Sequence, residues 1–166
     1  IIQNNDLDRY NFSVRNTTSM LNDKLTMDLS FMYSNVKEQN MLSQGEYANP
    51  LVPVYLFPRG DDFSKYQYYE RYDVDRNIKT QFWPLKENGL SMQNPYWITN
   101  RNMYTNKKDR FLASGLLKYT ITDWLNVSGR VKLDKETINS EKKMYASTLN
   151  VIAENSDKGA YVQSNK

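Results

Sequence analysis

The side chains best able to do chemistry in this chain are its carboxylates. Asp61-Asp62 and the pair Asp73 and Asp75 are close enough in sequence to supply oxygen ligands to calcium, although neither has the spacing of an EF-hand loop. A solvated acidic turn is the better reading of both. Two carboxylates across a cleft could hydrolyse a glycosidic bond, but among 19 acidic residues no two are marked out by their surroundings in sequence. The chain has no histidine and no cysteine, which removes the commonest general base, the commonest zinc ligand and all thiolate chemistry. The reading is therefore of a protein without an active site: not an enzyme, with no metal and no cofactor.

Aromatic residues supply the other chemistry. Residues 44–104 hold 13 of the 22 aromatic rings and all five prolines, Pro50, Pro53, Pro58, Pro84 and Pro95. The prolines divide the segment into short pieces and preclude long helices, while the rings carry too much apolar area for a disordered linker. "SKYQYYERYDVDRN" has room for a helical turn or two, and "PRGDD" reads as a turn rather than an adhesion signal. Seven basic and seven acidic residues, among them Glu46, Lys86 and Glu87, leave the segment neutral. A neutral surface rich in Tyr and Trp suits stacking on sugar rings or packing on a protein partner, although for any single ring a place in the segment's own small core is the better expectation. Tyr55, Phe57, Arg59, Asp61, Trp83, Tyr96 and Trp97 are the candidates for contact with substrate or partner.

The elements that position this segment are two-faced strands. In "LNDKLTMDLSFMYS" (21–34) Leu25, Met27, Leu29, Phe31 and Tyr33 alternate with Thr26, Asp28, Ser30 and Ser34, and only Met32 breaks the pattern. One hundred residues later "ITDWLNVSGRVKLD" (121–134) repeats it, with Leu125, Val127, Gly129, Val131 and Leu133 against Asn126, Ser128, Arg130, Lys132 and Asp134. Successive side chains of a strand point to opposite faces, so each stretch is a ribbon with one apolar and one polar side. Tight turns at Asn22-Asp23 and Thr122-Asp123 join each to an upstream arm, near Tyr10 to Thr18 and Phe111 to Tyr119. This predicts hairpins over about 9–35 and 110–135, a long loop over about 36–109 and another over 136–166.

A soluble sheet with one face on a core gives the same alternation. Two features favour a transmembrane barrel: uniform strands near the roughly 9 to 11 residues a bilayer requires, and short turns alternating with long loops. Trp124 by a short turn, with Tyr10, Tyr33 and Phe111 at the far ends, would form the interfacial aromatic belts. The mean hydropathy of −0.78 does not oppose this, because alternating strands average out. Leu25, Met27, Leu29, Phe31, Val127, Val131 and Leu133 are then lipid-facing, and Asp28, Ser30, Arg130, Lys132 and Asp134 lumen-facing. A net charge of +3, with Lys107-Lys108 and Lys142-Lys143 as isolated pairs, gives no footprint for nucleic acid.

Three stretches, "VPVYLFPRGDDF" (52–63), "QNPYWITNRN" (93–102) and "DRFLASGLLKYTITDWLNVSGRVKLD" (109–134), resemble the barrel region of SusC/RagA-type TonB-dependent outer-membrane transporters of Bacteroidetes. Asn94-Pro95-Tyr96-Trp97 and the hairpin centred on Asp123-Trp124-Leu125 carry the likeness most specifically. The resemblance implies an all-β fold, about four antiparallel strands of a 22-stranded barrel with a long folded extracellular loop. It also implies import of glycans or peptides, a SusD-like surface lipoprotein as partner, and energy from TonB acting through parts of the protein not in this chain. The plug domain is absent from it, and the opening "IIQNNDLDRYNF" lacks an initiator Met and a signal sequence, so the expectation is a piece of a longer polypeptide in the bacterial outer membrane. The competing expectation is a secreted all-β carbohydrate-binding module.

Overall fold

The computed structural model describes residues 2–41, 47–83, 92–154 and 158–166. Glu46, Pro84, Lys86 and Glu87 lie outside these residues. The chain is mostly antiparallel β-sheet. Its strands are β1 (Asp6–Met20), β2 (Leu25–Gln39), β3 (Glu70–Asp73), β4 (Ile78–Gln81), β5 (Asn102–Thr122), β6 (Leu125–Met144) and β7 (Ala160–Asn165). Helices are short: α1 (Leu51–Tyr55), a 3-10 turn at Phe63–Gln67, and α2 (Pro95–Arg101). One sheet runs in the order β1-β2-β5-β6-β7, and β3 pairs with β4 in a separate ribbon. The main sheet thus has five strands rather than the four expected, because residues 160–165 add β7 where the sequence reading has only loop. The four expected strands also run further, to Gln39 in β2 and Met144 in β6.

The chain divides into two compact units. The ribbon unit comprises Asp8–Lys37, Lys107–Asn139 and Asn165–Lys166. Its β1–β2 turn places Leu21, Asn22 and Asp23 in left-handed conformations, which Asn and Asp tolerate and Leu does not favour. β2 and β5 are joined through the backbone bond from Thr120 N to Lys24 O, 2.7 Å, and through a contact between the hydroxyls of Ser30 and Ser114, 2.8 Å. Among the described residues of this unit none is buried.

The aromatic unit comprises Ile1–Leu7, Glu38–Asn106 and Ser140–Ser164. Among the described residues the buried hydrophobic side chains Tyr66, Trp83, Met92, Trp97, Ile98 and Ala153 all belong to it. Asn94 is the pivot. Its side chain caps α2 by accepting from Tyr96 N at 2.9 Å, and its amide donates to the carbonyls of Tyr66 (2.8 Å) and Phe82 (3.1 Å). Pro95 follows at the first helical position, where its missing N–H costs nothing. The start of α2 is therefore written in the dipeptide Asn-Pro. Trp97, one turn on, is fully buried; its indole N–H donates to Thr148 Oγ1 at 3.1 Å, and Thr148 donates to Asn102 Oδ1 at 2.8 Å.

Candidate functional site

The faces of the ribbon unit are chemically opposite. On one side Phe12, Phe31 and Phe111 form a cross-strand ladder of edge-to-face rings, with centroids 6.1 and 4.9 Å apart. Beside it Val14, Leu29, Phe31, Gly115, Val131 and Leu133 line a shallow apolar groove of about 480 Å³. Gly115 makes the groove: a Cβ there would meet Leu29 Cδ2 at 3.3 Å. This face is uncovered, with Val131 76%, Val127 58%, Leu133 55% and Leu29 45% exposed. Leu25, Met27 and Phe31 are half-buried by their neighbours on the sheet. Trp124, at the β5–β6 turn, is also exposed, as are Tyr10 and Tyr33.

The opposite side is held by polar pairs between strands. Arg15 makes a bidentate contact with Asp28, and Arg110 another with Asp134 at 3.1 and 2.7 Å. Lys108 pairs with Glu136 at 2.8 Å, and Ser34 donates to Asn11 at 2.7 Å. Arg130, Lys132 and Asp134 are exposed, while Asp28 and Ser30 are half-buried. Ser30 and Ser114, joined through their hydroxyls, also border the apolar groove, as does Asn16.

The contact candidates of the aromatic unit separate into two kinds. Trp83 and Trp97 are buried, core residues rather than the surface contacts expected: Trp97 packs against Tyr69 and Tyr145, and Trp83 against Phe57 and Tyr66. Their area is too large to leave in water when a small unit must find a core. Phe57 and Tyr96 are half-buried, both in edge or tilted contact with Phe63. Tyr55, at 84% exposed, and Arg59 are open to solvent. Asp61 is exposed but engaged: it accepts from Tyr66 Oη at 2.7 Å and from Asp62 N at 2.8 Å, and these bonds hold its carboxyl below the usual range.

The remaining acidic residues named above are turn builders. Asp62 caps the 3-10 turn by accepting from Ser64 N (3.0 Å) and Ser64 Oγ (2.7 Å), and Asp73 accepts from Arg76 N (3.1 Å) in the β3–β4 turn. Asp61 N bonds to Pro58 O at 3.2 Å, so "PRGD" is a β-turn. Among the described residues no group of three or more acidic side chains is arranged to hold a metal ion.

A polar cluster escaped the sequence reading. Glu70 accepts from Lys79 at 2.5 Å and from Arg101 Nε at 2.8 Å. Burial pushes its carboxyl up, but the bonds from Lys79 and Arg101 outweigh that and hold it low. Gln81 Oε1 accepts from Asn94 N at 2.6 Å, and Gln93 bridges Tyr47 O (3.0 Å) and Leu149 N (3.2 Å). Asn94-Pro95 was the available signal for this cluster, since it marks a helix start whose cap must be fixed.

The chain matches no protein-family model and no curated protein.

Proposed function

We propose that this chain is part of the wall of a transmembrane β-barrel in a bacterial outer membrane, and that the barrel is a TonB-dependent importer of the SusC/RagA type. The observation that carries the reading is the ribbon unit itself, a sheet with an exposed, mainly apolar groove on one face and, among the described residues, nothing buried. A one-sided soluble sheet covers its apolar face with helices or a second sheet. Here Val127, Val131 and Leu133 have no protein over them, and hydrocarbon is the medium that covers such a face. The salt-bridged face suits a water-filled lumen. β1, β2, β5 and β6, of 15, 15, 21 and 20 residues, exceed what a bilayer requires. An open sheet leaves backbone donors and acceptors at its edges, which lipid cannot satisfy, so closing the barrel takes further strands.

The assignment to transport rests on the resemblance of residues 52–63, 93–102 and 109–134 to SusC/RagA barrels. In that reading the long connections, with Tyr55 and Arg59 as open positions, meet cargo or a SusD-like lipoprotein. TonB acts through a plug not in this chain, and the cargo is a glycan or peptide. A secreted carbohydrate-binding module has less support, since Trp83 and Trp97, the rings it would offer to sugar, are inside the unit.

Expression of this chain within a polypeptide that supplies the closing strands, with an export signal, followed by fractionation, tests the proposal. Expected is a protein that stays with outer membranes through an alkaline wash and leaves them only in detergent. A monomer that remains in the aqueous phase with its fold intact overturns it.

A further inference from the structure

The polar face of the ribbon unit carries more cations than it pairs. Alternation places Arg9 and Arg15, then Lys108, Arg110 and Lys118, then Arg130 and Lys132 on the side away from the apolar groove. The carboxylates on that side are Asp28, Asp134 and Glu136, and each already has a partner, Arg15, Arg110 and Lys108 respectively. Asp28 also feels the charge of Arg130, but Arg15 occupies both of its oxygens. Arg9, Lys118, Arg130 and Lys132 are exposed, and among the described residues none of the four has an ion-pair partner. The small net charge of the whole chain hides this sorting.

What surrounds these cations narrows the ligand. Ser13 and Ser128 stand among them, with Thr17 beside Asp28, offering short hydroxyls. Every ring of the unit's strands, including Tyr10, Phe12, Phe31, Phe111 and Tyr119, falls on the opposite parity. The face therefore has no platform on which a nucleobase could stack. It offers fixed positive charge among hydroxyls, the complement of a polyhydroxylated chain bearing carboxylates.

We propose that this face binds an acidic oligosaccharide, with Arg130, Lys132 and Lys118 on its carboxylates and the interleaved Ser and Thr hydroxyls on its ring oxygens. The inference deepens the transporter reading by naming the cargo as a uronate-type glycan, and rests on it only in taking this side as wet.

The test measures binding of a galacturonate oligomer and of a neutral glucose oligomer of equal length to the purified protein in detergent micelles at low and moderate salt. Expected is a preference for the acidic oligomer that shrinks with salt, and a loss of about tenfold or more in affinity for it in Arg130→Gln/Lys132→Gln. Lys118→Gln provides a second, milder variant. Equal binding of both oligomers, no change in either variant, or equally tight binding of single-stranded DNA overturns the proposal. Membrane fractionation of the same variants separates the two claims: retention in membranes without acidic preference refutes the cargo alone, whereas acidic preference in a protein that never enters membranes refutes the barrel alone.

Discussion

Val131→Arg is the substitution that divides a membrane wall from a soluble sheet. Val131 lines the apolar groove and is 76% exposed, so in water its replacement removes almost no packing. Surface changes of that kind stay within about 0.5 kcal/mol. In a bilayer the same position faces hydrocarbon, and an Arg near the midplane of a β-barrel costs about 2–4 kcal/mol. The expected effect thus differs at least about fourfold between the two settings. Arg130→Ala, one residue away on the other face, loses no ion pair within bonding distance and is expected to change stability by less than about 1 kcal/mol. The assay is reversible urea unfolding of protein refolded into lipid vesicles, followed by the fluorescence of its tryptophans. If Val131→Arg and Arg130→Ala shift the midpoint alike, the assignment of faces is wrong.

Three further outcomes concern the aromatic unit and its hydrogen bonds. Trp97→Ala should cost about 3–5 kcal/mol, since it empties a fully buried site and leaves Thr148 without its indole donor; a loss under about 1 kcal/mol by denaturant titration would remove Trp97 from the core. Glu70 has a depressed carboxyl, so its stabilising contribution is complete above the ordinary value of 4.5 and is lost as pH falls through the lower folded value. Glu70→Gln should cost about 1.5–3 kcal/mol at neutral pH and flatten the fall in stability below about pH 4.5, read from thermal melts across pH; an unchanged acid limb contradicts this. Gly159 has φ +86°, and a Cβ on it would stand 2.4 Å from Met144 O. Gly159→Ala should therefore destabilise by more than about 1 kcal/mol and raise amide exchange in β7, while Gly60→Ala, with open space around it, should not.

The ribbon was legible because period-two alternation is a local signal. Leu25 through Phe31 and Val127 through Leu133 needed no distant partner to declare their face. The arms at β1 and β5 were harder to read. Asn16 and Thr18 dilute the apolar side of one, and Leu112 and Leu116 stand on the polar side of the other, so neither pattern is clean. β7 escaped because residues 160–165 alternate over too short a length; its place is fixed by pairing, seen in the reciprocal bonds of Ile138 and Lys166 at 2.8 and 2.9 Å. In the aromatic unit composition disclosed that a core exists but not which rings form it. Trp97 is inside and Tyr55 outside because α2 is fixed by Asn94 and its long-range bonds to Tyr66 and Phe82, which no local pattern encodes. The unpaired cations needed both parity and pairing to be seen.

Because the chain has no cysteine, single Cys substitutions at 126 through 133 give clean labelling sites along β6. The decisive measurement attaches a fluorophore at each site in vesicle-reconstituted protein and compares quenching by brominated acyl chains with quenching by aqueous iodide. Alternation is expected, with 127, 129, 131 and 133 quenched from the lipid and 126, 128, 130 and 132 from water. Iodide quenching at every position, with none by brominated lipid, would contradict a wall that meets hydrocarbon on one face.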